Sequence, residues 1–151
     1  MNVCILGDGL TSLSLAKALV NLEINVDVIS HKKIDKLDKT RTLGLSRSNI
    51  EFFNKNIVNI DKLLWKIKKI AIFNDNSKNN ELINFDNSKE YLFATIKNKE
   101  FYNLLYLNLI KSKIFNFKKK LILSKYNLII NCDPKNIITK KFFFQKYEEK
   151  L

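Results

Sequence analysis

The sequence predicts an α/β fold built around a parallel sheet, and three observations carry that reading. Asn2 to Leu6 is a short, nearly continuous apolar run, the pattern of a strand buried on both faces. Gly7 and Gly9 follow at once, two of only three glycines in the chain. From Leu10 the apolar period lengthens to that of a helix, and a second apolar segment, Ile24 to Ile29, closes a strand–turn–helix–strand unit. With 151 residues and 46% hydrophobic content, the chain is long enough to bury roughly 70% of its unfolded surface in a core.

Each element has its own warrant. In the first helix Leu13, Ala16 and Val20 fall at i, i+3 and i+7, and Leu10, Leu15 and Leu19 widen the stripe that packs on a sheet. His31 to Lys39 is a charged connection. Thr40-Arg-Thr-Leu-Gly-Leu-Ser46 leads into a helix with Ser46 as its N-cap and Ile50 and Phe53 on its inner face. Asp61 is placed to cap a short second helix carrying Leu63, Leu64 and Trp65. Lys68 to Asn74 alternates, with Ile70 and Ile72 on one side; Asp75 to Asn80 is a turn, and Glu81 to Phe85 alternates again, which makes a β-hairpin. Tyr91 to Ile96 is a strand. Lys99 to Lys111 is an amphipathic helix through Phe101, Leu104, Leu105, Leu109 and Ile110. Ile114 to Phe117 and Asn127 to Cys132 are the last strands, and the tail from Lys140 to Leu151 has no clear period.

The glycine turn carries the chemistry. A strand, a tight glycine turn, a helix and a second strand form the first unit of a dinucleotide-binding, Rossmann-like fold. Gly7 suits an abrupt strand-to-helix turn, and Gly9 has no side chain to obstruct a pyrophosphate, which would meet the free N–H groups and positive dipole end of the helix. Ser12 stands where this fingerprint has its third glycine. Ser30, followed by His31, stands where an acidic residue at the end of the second strand would bind the ribose.

Composition excludes more than it assigns. Two cysteines are too few for a disulfide scaffold, and no N-terminal segment reads as a signal peptide, so a reducing cytosol is expected. Cys4 and Cys132 fall on expected strands and read as small core residues; with a single histidine, no zinc-ligand spacing arises. The formal charge is +12, yet 25 of the 27 basic residues are lysines spread along the chain, beside 20 asparagines. That profile reads as A- and T-biased coding, and no specific nucleic-acid partner follows from it. Lys118-Lys-Lys120 and Lys140-Lys-Phe-Phe-Phe144 read as solvated charge beside strand aromatics. Arg41 stands out as one of two arginines.

The order of these segments resembles the flavin-dependent aromatic hydroxylases, most closely the ubiquinone-biosynthesis hydroxylases. Ile5-Leu-Gly-Asp-Gly-Leu-Thr-Ser-Leu-Ser-Leu-Ala16 lies along the family's glycine-turn pattern. Arg41-Thr-Leu-Gly-Leu-Ser46 resembles a segment whose arginine lies near the flavin. Phe52 to Trp65, then Ile70 to Phe73, follow the family's helix, tryptophan and strand. Ala94-Thr-Ile-Lys-Asn-Lys99 resembles its strand–Asn-Arg–helix segment, with Lys99 where arginine is usual. Asn131-Cys-Asp-Pro134 corresponds to a Gly-Ala-Asp-Gly motif that touches the cofactor; Asp133 is unchanged, Pro134 replaces a glycine, and Ile137 replaces the usual serine.

The resemblance implies an α/β, Rossmann-like FAD-binding fold with a parallel sheet and a small β-hairpin insertion. It implies a FAD-binding unit and following helices over 1–66, an insertion that starts a substrate domain over 67–96, a return to the FAD-binding domain over 97–139, and a tail over 140–151. It implies FAD contacts at Gly7, Gly9, Leu10, Thr11, Ser30, Arg41, Lys99 and Asp133, with NADPH as reductant and an aromatic ubiquinone precursor, a polyprenylphenol, as substrate. Members of the family run to more than twice this length, so the chain is expected to be an N-terminal portion, inactive in isolation. The implied setting is cytoplasmic, peripheral to the inner face of the membrane and in contact with other ubiquinone-biosynthesis proteins. Two other functions fit the residues alone: an NAD(P)-binding module without flavin, and a non-catalytic basic interaction domain.

Overall fold

The computed structural model describes residues 1–30, 41–73, 81–86, 90–134, 136 and 139. The connection at 31–39 with His31, the turn at 75–80, Ile137 and the tail from 140 lie outside the described residues. In chain order the elements are β1 (Asn2–Leu6), α1 (Leu10–Asn21), β2 (Asn25–Ile29), β3 (Thr42–Leu45), α2 (Arg47–Asn56), a 3-10 turn at Asp61–Leu63, β4 (Trp65–Ile67), β5 (Lys69–Phe73), β6 (Glu81–Asp86), β7 (Phe93–Lys97), α3 (Asn98–Leu109), β8 (Phe115–Lys118), a 3-10 turn at Leu123–Lys125, and β9 (Leu128–Asn131). They divide into two units, one of residues 1–36 with 104–151 and one of residues 37–103.

The first unit is built on a four-stranded sheet in the order β8-β2-β1-β9, with every pair parallel. Parallel neighbours cannot be joined by a tight hairpin, so each step needs a crossover, and α1 supplies the first. Val3, Cys4, Ile5, Leu6, Val26, Val28 and Ile29 are all buried, which is why β1 and β2 read as continuous apolar runs. α1 packs on β1 and β2 and buries Leu13 and Ala16. Tyr106 stacks on Phe117 of β8 with ring centroids 5.7 Å apart, while Leu105 and Leu109 are buried. Cys4, Leu6 and Ile29 form a cluster beneath Leu121, Tyr126 and Ile129.

The second unit holds an antiparallel sheet in the order β3-β7-β4 and the separate β5–β6 ladder. Ser46 caps α2 as expected: its Oγ accepts the Asn49 N–H at 3.2 Å. Ile50 is buried, and Phe53 meets Phe101 edge-on at 5.3 Å. Two local expectations are corrected. Thr42–Leu45 is a strand paired with β7 rather than a plain lead-in to the helix. Trp65 is on β4, not on a helix begun at Asp61. The Asp61 carboxylate is occupied by the side-chain amides of Asn54 and Asn59 and caps nothing; Leu64 is extended, and pairing of Trp65 with Thr95 draws the segment into the sheet. The β5–β6 ladder leaves Ile72, Phe73, Leu82, Ile83 and Phe85 exposed.

Asp27 on β2 links several elements of the first unit: it accepts from the Tyr126 hydroxyl at 2.9 Å and the Asn116 amide at 3.2 Å, and it pairs in register with Cys4. Burial first, then the charge of Asp27, pushes the Cys4 thiol from 9.0 up to about 11. Burial, then the hydrogen bond to Asp27, pushes the Tyr126 hydroxyl from 10.0 up to about 12. Both folded values lie above the unfolded ones, so the stability these groups contribute is fully present below pH 9.0 and is lost as pH rises through about 11 and about 12. Urea unfolding should therefore show stability falling above pH 9.0. The fall should be shallower in a Cys4→Ala, Tyr126→Phe double variant than in the parent; an equal fall in both would remove this account.

Candidate functional site

In the first unit the chain runs outward from β1 to β2 to β8 and then returns to the opposite side of β1 as β9. In open α/β sheets, ligands bind beyond the carboxyl ends of the strands at such a reversal. Gly7 leaves the end of β1 and Asp133 follows the end of β9, so the reversal brings together two residues distant in sequence. A Cβ on residue 7 would lie 3.1 Å from Asp133 Cβ, 3.3 Å from Asp133 N and 3.3 Å from Ser12 Oγ. Gly7 also has φ +105°, a conformation that side chains strain, and its N–H donates to the Ile29 carbonyl at 3.0 Å.

Gly9 is the N-cap of α1, and its carbonyl accepts the Leu13 N–H at 3.0 Å. No side chain caps this end and no acidic residue lies in the first turn. The N–H groups of Leu10, Thr11 and Ser12 therefore have no acceptor within the helix, and the dipole there favours an anion. A Cβ at Gly9 would meet nothing within 4 Å among the described residues. Ser12 is buried, and its Oγ has no partner among the described residues. Backbone donors, open space and an unused buried hydroxyl together make this end of α1 an anion cradle.

Ser30 ends the neighbouring strand; its N–H donates to the Lys118 carbonyl at 3.1 Å, and its Oγ hydrogen-bonds Asp8 Oδ2. Asp133 sits in a tight turn: its N–H donates to Asn131 Oδ1 at 3.1 Å, and its carbonyl accepts from Thr139 Oγ1 at 3.0 Å and from the Asn136 N–H at 3.1 Å. Gly7, Gly9, Leu10, Thr11, Ser30 and Asp133 thus belong to the first unit, around the glycine turn.

Arg41 and Lys99 belong to the second unit. The Arg41 carbonyl accepts the Asn98 N–H at 3.0 Å, and Thr42 pairs with Lys97, so both cations flank one end of the β3–β7 pair, where both are exposed. The Asn98 side-chain oxygen beside them is buried without a partner among the described residues. The other arginine has a role in the fold: Arg47 pairs with Glu90 and lies 5.9 Å from the Tyr91 ring centroid.

Sequence reasoning passed over Asp8. Its signal was an acidic residue between two glycines, opposite a strand end that lacks one. A cavity of about 250 Å³ also opens where β1 and β2 begin, lined by Asn2, Asn25, Asp27, Lys113, Asn116 and Tyr126. It lies at the opposite strand ends from the glycine turn, and no α-helix N-terminus is among its described lining residues.

No family model and no curated protein matches the sequence. Solved structures do resemble the fold. One is p-nitrophenol 4-monooxygenase PnpA from Pseudomonas putida, with TM-score 0.64 and 13% identity over 78% of this chain and 31% of that one. Another is the flavin-dependent monooxygenase PieE, in complex with FAD and substrate, with TM-score 0.56 and 11% identity over 79% of this chain and 24% of that one. A third is 2,6-dihydroxypyridine-3-hydroxylase from Arthrobacter nicotinovorans, with TM-score 0.52 and 10% identity over 77% and 28%. The fold is the one these monooxygenases share. The chain spans only 24% to 31% of their lengths.

The two glycines of the turn should respond differently to a methyl group. Gly7→Ala strains a positive φ and crowds Asp133, so it should cost about 1–3 kcal/mol of stability. Gly9→Ala enters open space at an ordinary backbone angle and should cost less than about 1 kcal/mol. Thermal and urea unfolding of both variants decide this, and equal losses would contradict the geometry.

Proposed function

We propose that this chain is the FAD-binding portion of a flavin-dependent monooxygenase that hydroxylates an aromatic ring. The observation that carries the reading is the anion cradle at the sheet's reversal, formed by Gly7, Gly9 and the first turn of α1 within a fold shared with monooxygenases. When bound, FAD would supply the redox chemistry that activates oxygen. The N–H groups of Leu10, Thr11 and Ser12 hold the pyrophosphate, and Gly9 gives it room. Ser30 and Asp133 lie at the strand ends on either side of the Gly7 turn, where they orient the rest of the nucleotide. Arg41 and Lys99 enter this reading only through the likeness of their segments to the hydroxylases, Lys99 as a point charge where that family has the planar fork of an arginine.

The proposed substrate is a ubiquinone precursor, a polyprenylphenol, with NADPH as reductant. Support comes from the likeness of Arg41–Ser46, Ala94–Lys99 and Asn131–Pro134 to segments of the ubiquinone-biosynthesis hydroxylases. No described helix is long and apolar enough to cross a membrane. A polyprenyl tail partitions into lipid, and a net charge of +12 draws the chain toward anionic headgroups, so the proposed place of action is peripheral, at the inner face of a membrane beside other enzymes of that synthesis.

Titration with FAD, followed by quenching of flavin fluorescence, tests the reading. The parent chain should bind FAD in competition with ADP. Gly9→Val should keep the circular dichroism of the parent while its affinity for both falls at least about tenfold, a loss of ~1.4 kcal/mol. A folded parent that takes up no FAD, or a Gly9→Val variant that binds as the parent does, would overturn it.

A further inference from the structure

The ribose carboxylate expected at the end of β2 is absent, and Ser30 occupies its place. The structure nevertheless puts a carboxylate there. β1 and β2 run side by side with Leu6 paired to Ile29, and the Gly7 N–H closes on the Ile29 carbonyl at 3.0 Å. The residue after Gly7 therefore starts beside the end of β2. Asp8 reaches across, and the Ser30 hydroxyl donates to its Oδ2. A carboxylate has two oxygens and about four acceptor sites, so a single bond from serine fixes its orientation and leaves capacity for a further donor.

We infer that Asp8, held by Ser30, is the group that receives a ribose hydroxyl of the adenosine and selects a ribose without a 2′-phosphate. This inference rests on the nucleotide-binding reading of the same turn. Three features argue that the pair faces a ligand. Gly9, the next residue, opens onto space that a Cβ would not fill. The Ser12 hydroxyl, buried and unpartnered among the described residues, lies 3.3 Å from the Cβ position of Gly7 and so is directed at the turn. No acidic residue lies in the first turn of α1, and Asp8, just before its N-cap, is the carboxylate nearest in sequence to the anion cradle. Placed on the β2 side of the turn, Asp8 can accept from a hydroxyl while the N–H groups of Leu10, Thr11 and Ser12 receive the phosphates. A 2′-phosphate brought to the same place would meet a like charge.

The experiment compares ADP, 2′-deoxy-ADP and adenosine 2′,5′-bisphosphate by calorimetry on the parent chain, Asp8→Asn and Ser30→Ala, with thermal melts to establish folding. The parent should prefer ADP to its deoxy analogue by about tenfold, the scale of one charge-assisted hydrogen bond, and should reject the bisphosphate. Asp8→Asn should erase most of the preference for the hydroxyl, weakening ADP while leaving 2′-deoxy-ADP nearly unchanged, and should admit the bisphosphate. Ser30→Ala, which frees the carboxylate without removing it, should reduce the preference without abolishing it. If the parent binds ADP and its deoxy analogue equally, or if Asp8→Asn tightens all three ligands, Asp8 is a repelling charge and the inference fails while the nucleotide site stands. If a folded parent binds none of the three, both fail together.

Discussion

The separation of 3.1 Å between a Cβ at residue 7 and that of Asp133 is the constraint on which the candidate site depends. A side chain at Gly7 would push the turn after β9 away from the turn after β1, and those two turns bound the reversal in strand order. It would also crowd Ser12, which packs the start of α1 against the same point. The positive φ at Gly7 sends the backbone from a buried strand into a helix within three residues, so β1 can end in the core while the donors of α1 open outward. The abrupt turn out of β1, its close packing against Asp133 and the placing of the start of α1 beside it all depend on one position without a side chain.

Around that point the charges are arranged by exclusion. The chain carries +12, but lysines spread through it do not define a site. What defines the site is backbone: the start of α1 has neither a side-chain cap nor an acidic residue in its first turn, either of which would satisfy its donors internally. The acidic residue beside it, Asp8, is tied back to Ser30 at the neighbouring strand.

The parts of this arrangement legible in the sequence are those set by local period. The change of period after Gly9, the capping serine at 46, the alternating β5 and β6 segments and the apolar final strands all announce themselves within a few residues. β3 did not, because Thr42–Leu45 is too short to alternate convincingly and includes Gly44; its identity comes from pairing with β7. Trp65 reads as helical in the sequence for a different reason: Asp61 resembles a helix cap until the asparagines that occupy its carboxylate are known. Of the site residues, Gly7 and Gly9 were visible as motif. The approach of Asp133 to Gly7 and the reach of Asp8 to Ser30 were not, since both depend on which strands become neighbours.

Glycine is scarce here, and that scarcity separates the fold's needs from a ligand's. Gly7 is required by the backbone: its φ is positive and its surroundings have no room. Gly44 lies on a strand where a Cβ would meet the Phe93 ring at 3.9 Å, an ordinary contact. Gly9 is different. Its φ of −77° and ψ of 178° suit any residue, and nothing described lies near its missing side chain. As an N-cap it is matched or exceeded by asparagine, which this chain uses 20 times, and an asparagine would also satisfy one of the free donors of α1. The fold alone thus gives no reason for glycine at this position. A partner that comes close to the backbone and uses those donors does, and a nucleotide pyrophosphate has the charge and the size to do so.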